Sequence, residues 1–147
     1  MEELIEKMKV VLASTFAAGL KAQAYHWNVI GSDFPQLHEF FAEIYGDYQG
    51  AVDPLAEHIR QLDSFAPQTL TRMKELSVIM EDEKVPTAEK MVANLLTCNE
   101  NLMNVVTEAY VMAEDQKMYG LSNYLQDRIT AHSKLNWMIK ATLGKKS

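Results

Sequence analysis

The chain has one cysteine, Cys98, so it cannot form an internal disulfide, and a reduced cytoplasmic compartment is the expectation. No apolar run approaches the roughly 20 residues that span a bilayer, so no membrane partner is expected. No segment alternates apolar and polar residues as a half-buried strand does, and no repeat or low-complexity stretch stands out. No His-Glu-x-x-His motif is present, which removes one large class of zinc enzyme. No glutamate is followed three residues later by histidine, the pairing that builds metal sites inside a single helical bundle. Basic charge is in deficit too. Fourteen Lys and Arg face twenty Asp and Glu, for a net charge of -6, so affinity for a phosphate backbone should be weak and salt-sensitive. The opening Met1-Glu2-Glu3 is acidic and leads directly into helical sequence, so neither a secretory leader nor a Lys-rich DNA-binding arm is expected there. At the other end only Lys140, Lys145 and Lys146 are basic.

What is present is helix. With 147 residues, 48% of them hydrophobic, the chain should form one all-α domain over 1–147 with a sizeable core. Met1 to Asn28 reads as a first helix with Leu4, Met8, Val11, Phe16 and Leu20 in register. Phe34 to Leu62 reads as a second, with Leu37, Phe41, Ile44, Tyr48, Val52, Leu55, Ile59 and Leu62 on one stripe. Pro54 lies inside it and should kink it or remove one backbone bond, with a consequence for the aim of Asp53. A short helix is expected around Thr71 to Met80. Thr87 reads as the N-cap of a third long helix running to about Asp115, with Val92, Leu95, Leu102, Val106, Ala109 and Ala113 inward. Gly120 marks the break before the last helix, whose inward residues would be Leu121, Leu125, Ile129, Leu135, Ile139 and Leu143. The connection between the second and third long helices, about 24 residues, fits one long crossover in a four-helix bundle. Nine methionines read mostly as core filler.

The second helix carries a geometric contradiction. His38, Asp53 and Glu57 resemble metal ligands, yet at about 1.5 Å of rise per residue His38 and Asp53 lie roughly 22 Å apart. Relative to the apolar stripe, His38 sits about 80° away, Asp53 about 140° and Glu57 about 180°. The two carboxylates therefore face away from their own core. Ala42, Gly46 and Gly50 fall on the same outer face. Two glycines inside a helix cost about 1 kcal/mol each, a cost that suits close approach of another backbone. An antiparallel copy of the same helix, crossing near Asp47, would bring His38 of one chain beside Glu57 of the other and position 42 beside Asp53. A two-fold axis makes that site twice. The turn after Asn28 returns His26 to the same end of the bundle as His38. Two imidazoles and two carboxylates suit Fe²⁺ or Zn²⁺.

Each feature alone also fits an ordinary role. Asp53 and Glu57 at i, i+4 are what a solvated helix face carries. His38 fits a surface histidine, and His26 fits a helix-end residue packing on Trp27. Glu114, Asp115 and Asp127 suit either solvated charge or the lining of a cation pore. His58 and His132 have no assigned role.

The run Ala24-Tyr25-His26-Trp27-Asn28, then Gly31, Phe34 and Leu37-His38-Glu39, resembles the signature of the Dps mini-ferritins. Asp53-x-x-x-Glu57 follows at that family's spacing, Glu75-Leu76-Ser77 resembles its small extra helix, and Asp127-Arg128-Ile129, His132 and Trp137-Met138 resemble its final helix. The likeness spans nearly the whole chain. It implies a ferritin-like four-helix bundle with a short helix in the crossover, assembling from two-fold dimers into a hollow homo-dodecamer. It implies a ferroxidase that binds Fe²⁺ between subunits, oxidises it preferably with hydrogen peroxide and stores the ferric (Fe³⁺) mineral, limiting oxidative damage. The metal ligands would be His26 and His38 from one chain with Asp53 and Glu57 from its mate, open to Zn²⁺ as a competitor. Trp27 would stand near the metals and scavenge oxidising equivalents, or simply pack.

One position departs from the pattern. The family usually has Asp four residues after the second histidine, and here it is Ala42. A second, weaker iron position would then lack a carboxylate unless Glu39, Glu43 or water replaces it. One tightly held iron per site and slower or peroxide-dependent oxidation are the expectation. The competing reading is a ferritin-like scaffold or DNA-associated structural protein whose site no longer turns over.

Overall fold

The structure, a computed structural model, describes residues 1–145; Lys146, named above with the basic C-terminal residues, lies outside them. Among the described residues the chain forms five helices and no strand. They are α1 (Glu2–Asn28), α2 (Phe34–Gln61), α3 (Leu70–Leu76), α4 (Ala88–Asp115) and α5 (Tyr119–Thr142). None is long and apolar enough to cross a membrane.

Turn chemistry sets the hairpins. Between α1 and α2 the chain reverses through Gly31 at φ 123°, a left-handed value glycine adopts without strain, and Pro35 opens α2. Thr69 and Thr87 cap α3 and α4, their hydroxyls accepting the N–H of Arg72 at 3.1 Å and of Lys90 at 3.2 Å. The Thr87 cap is where the sequence places it. The short helix begins one residue early and ends at Leu76, four residues before the expected Met80. α2 continues through Pro54 to Gln61, so the proline removes one backbone donor without ending the helix.

Contacts fix the topology. Lys7 meets Glu108 and Tyr25 meets Asn94, so α1 and α4 run antiparallel. α1 is also antiparallel to α2, and α4 to α5, across their short turns. α2 and α4 therefore run the same way, and the crossover holding α3 must span the bundle. Its end is tied down beside α1 and α4. Lys21 Nζ donates to the Met80 carbonyl at 2.8 Å, and the Tyr25 hydroxyl donates to Asp82 at 2.5 Å.

The core has two apolar ends and a polar middle. One end gathers Ala22, Leu37, Phe41, Ile44, Leu95 and Ile139, the other Leu4, Met8, Leu55, Ile59, Val106 and Leu125. Between them lies a bonded layer. Arg128 holds Asp47 through two nitrogens, at 3.2 and 2.7 Å, and donates to His132 Nε2 at 3.2 Å. Asn99 Oδ1 accepts from the Tyr48 hydroxyl and from His132, and Asn99 Nδ2 donates to the His132 carbonyl at 2.8 Å. Burial and the Arg128 charge hold the His132 imidazole down to about 3, so it is neutral at pH 7. Cys98 is buried nearby, and burial pushes its thiol up to about 12, which leaves it inert.

Six core expectations need correction. Leu20 is 51% exposed and Phe16 only half-buried; the α1 stripe runs through Thr15, Ala18 and Ala22 instead. Val11 to Phe16 is a step of five, about 140° around a helix, which leaves the buried face. In α2, Ala51 rather than Val52 sits in the stripe, and Leu62 is half-buried. In α5, Ile129 and Leu143 are half-buried, while Arg128 and His132 take the interior positions. Small residues suit α1 because α2 lies close: a Cβ on Gly19 would meet Gln49 Cγ at 3.2 Å.

Candidate metal centre

His26 lies in the last turn of α1 and His38 in the second turn of α2, so the Gly31 reversal sets their rings face to face. The rings stack with centroids 3.8 Å apart and planes 13° from parallel. Each grips the other's backbone. His26 Nδ1 donates to the His38 carbonyl at 2.6 Å, and His38 Nδ1 donates to the His26 carbonyl at 2.7 Å. The His26 carbonyl is one of the four that every helix end leaves without an N–H, so His38 fills a vacancy α1 already had. A carbonyl only accepts, so both rings must carry their proton on Nδ1. Each Nε2 keeps its lone pair for a ligand, the arrangement that orients imidazole toward a metal.

Aromatic rings steady the pair. Phe34 stacks on His38 with centroids 4.9 Å apart, and the half-buried Tyr45 lies 5.3 Å from His26. Reading the sequence named Phe34 only as the start of α2 and within the family resemblance, and missed Tyr45. The signal was available, since 34, 38, 41 and 45 step by four, three and four along one side of α2. Trp27 is 60% exposed and points to solvent within the chain.

Asp53 and Glu57 are elsewhere. Both are exposed on α2, four and five turns beyond His38, and neither forms an ion pair among the described residues. Because α2 is unbroken, their distance from His38 follows from helical rise, about 22 Å for Asp53. Among the described residues no three His, Cys, Asp or Glu side chains of one chain converge on a point. The chain thus joins the two histidines and separates them from the two carboxylates. Gly46 and Gly50 lie between, and a Cβ on either would meet nothing within 4 Å. Ala42 is half-buried one turn after His38.

The bundle interior offers no rival centre. Its one polar layer is filled by the Arg128 cation, and no buried side-chain nitrogen or oxygen among the described residues lacks a hydrogen-bond partner. His132 spends Nε2 on Arg128, and His58 stacks on Tyr124 at 4.9 Å.

A long-crossover bundle of this kind, with its histidine pair at one end and its carboxylates apart, is a ferritin-type architecture. A ferritin-like domain matches residues 5–147, and the chain belongs to that family. Within it the chain is of the Dps type. It is 31% identical to general stress protein 20U of Bacillus subtilis, over 97% of this chain and 99% of that one. Dps of Staphylococcus aureus superposes with a TM-score of 0.92 at 29% identity, covering 97% of this chain and 96% of that one. The Dps protein of Vibrio cholerae O1, described as a member of a broad superfamily of ferritin-like diiron-carboxylate proteins, gives 0.92 at 27% identity, covering 97% and 89%.

Proposed function

We propose that this protein is an iron-storage mini-ferritin with ferroxidase activity, its sites completed between subunits. His26 and His38 of one protomer and Asp53 and Glu57 of its two-fold mate would bind Fe²⁺. Hydrogen peroxide is the preferred oxidant, and the ferric product is stored in the hollow of a cytoplasmic homo-dodecamer. One observation carries the reading. Two imidazoles are locked by reciprocal Nδ1–carbonyl bonds, so both Nε2 atoms are left available side by side.

The donor set fits iron. Two imidazoles and two carboxylates match Fe²⁺, with Zn²⁺ competing for the same geometry. Among the described residues no cation pairs with these carboxylates, and the open strip at Gly46 and Gly50 supports a second backbone approaching there. An assembly of chains each at -6 favours cation entry over contact with DNA, and Glu114, Asp115 and Asp127 are the candidate pore residues. The direct test adds Fe²⁺ anaerobically, then hydrogen peroxide, and follows ferric absorbance. Rapid ferric formation that disappears in H26A/H38A is expected; a wild-type rate no faster than free iron would refute the activity.

A further inference from the structure

We propose that Arg128 is a tethered cation that keeps divalent metal ions out of the bundle centre and so confines iron to the histidine pair at its end. The confinement of iron rests on the ferroxidase reading above; the exclusion itself is a matter of metal binding alone. Two potential ligands are aimed at one atom. Nη2 of Arg128 lies 2.7 Å from an Asp47 carboxylate oxygen and 3.2 Å from His132 Nε2. Asp47 comes from α2 and His132 from α5, so two elements converge there. His132 carries its proton on Nδ1, which donates to Asn99 Oδ1 at 2.9 Å, so Nε2 presents a lone pair. An imidazole held by a bond on its other nitrogen, with a carboxylate beside it, is the arrangement from which metal sites are built. Burial and then the Arg128 charge keep that imidazole neutral at pH 7.

What occupies the point between them is a guanidinium. It cannot be deprotonated in a protein, and its other nitrogen, 3.2 Å from the second Asp47 oxygen, makes the hold bidentate. A divalent ion approaching the same two groups meets that charge at contact distance and finds both ligands already spent. Packing does not do the excluding. Asp47 is half-buried, with 29% of its side chain exposed, so the layer opens to solvent on the α2 side. Zinc binds imidazole nitrogen and carboxylate oxygen at about 2.0–2.2 Å, so shifts of about 1 Å would let Asp47 and His132 share one ion where Nη2 now sits. The space left by the arginine side chain would hold the waters that complete its coordination. Metal there would be misplaced. Along α2, Asp47 lies about 14 Å from His38 and about 9 Å from Asp53, so an ion in the layer is held apart from both candidate ligand pairs.

Crystals of the whole assembled protein are soaked in Zn²⁺ and anomalous scattering is mapped at the zinc edge. The wild type should show no peak between Asp47 and His132, and Arg128→Ala should show one there, on an Asp47 oxygen and His132 Nε2. In calorimetry the zinc count should rise by one site per chain in R128A and return to the wild-type count in R128A/H132Q. A merely structural arginine would leave the count unchanged. If R128A assembles poorly, Zn²⁺ or guanidinium ion added during refolding should restore it, because a free cation then replaces the tethered one. Assembly restored by neither overturns the proposal. A wild-type peak in the layer overturns it too, as does an R128A that assembles and gains no site. Zinc at His26 and His38 appears as a separate peak in the same maps. Its absence would overturn the metal centre proposed there and leave the exclusion by Arg128 standing.

Discussion

Tyr48 and His132 share one acceptor. The Oδ1 of Asn99 takes the Tyr48 hydroxyl at 2.8 Å and the His132 Nδ1–H at 2.9 Å, tying α2 and α5 to α4 at mid-height. His132 must donate there, because the Arg128 guanidinium on its other nitrogen can only donate. The layer fixes how α2 is rotated about its axis, and that rotation decides where Asp53 and Glu57 point. Asn99→Leu fits the apolar ends but strands two buried donors. Each stranded donor costs about 1–3 kcal/mol, so a loss of about 3 kcal/mol is expected in chemical denaturation. A variant as stable as wild type would mean the layer contributes nothing.

The same layer sets an acid response. The folded His132 titrates near 3, against 6.5 in an unfolded chain, because burial and then Arg128 disfavour its charged form. The unfolded state therefore binds more protons below 6.5, so this histidine's contribution is complete above pH 6.5 and shrinks as pH falls toward 3. His58, lowered by its own burial, adds in the same direction. Between pH 6.5 and 5, before most carboxylates titrate, the denaturation midpoint should fall, and fall less in His132→Gln. Parallel pH profiles for the two proteins would refute this.

How much of this was legible is best seen on α4 and α5. The apolar positions of α4 were readable, and steps of three and four from Leu95 pass through 99 to Leu102. The same stepping from Leu125 lands on 128, 132, 135 and 139. Those steps pass through Asn99, Arg128 and His132, which reading by hydrophobicity skips, because a buried polar residue is tolerated only through partners that lie far off in sequence. The histidine pair was legible as an end-of-bundle cluster, since one short turn separates its members. Its backbone lock was not, because it depends on ring orientation and on a helix-end carbonyl. The gap between His38 and Asp53 was legible in full, being simple helical rise.

The strip at Gly46 and Gly50 should separate folding from assembly. Both glycines are helical, and a side chain there meets nothing in its own chain, so Gly50→Leu should improve α2 by up to about 1 kcal/mol. If a second α2 crosses there, the bulk blocks it. The expectation is retained helicity by circular dichroism with loss of the large assembly in sedimentation, and with it loss of iron oxidation. An intact assembly in G50L would place the contact elsewhere.

Sites shared across a dyad can be rebuilt from two broken chains. H26A/H38A lacks both imidazoles and D53A/E57A lacks both carboxylates, so each alone should oxidise iron no faster than buffer. When the two are refolded together, a mixed dimer has one site missing all four ligands and one site complete. With random pairing, about half the dimers are mixed and about one quarter of all sites are restored. Ferric formation should recover to about that fraction. A mixture as inactive as its components would place the four ligands within one chain, against the distance along α2.

Ala42 gives the sharpest test of stoichiometry. It follows His38 by one turn on the same side of α2, so a carboxylate at this position would add a donor beside the imidazole pair. With alanine there, a second iron must rely on water or on the outward Glu39 and Glu43, and one tight Fe²⁺ per site is expected in anaerobic calorimetry. Ala42→Asp should raise that to two at a helix-propensity cost of about 0.5 kcal/mol. Two irons supply both electrons that peroxide requires, so A42D should oxidise iron faster. Wild-type protein already binding two equally tight irons would show that the missing carboxylate is replaced from within the site.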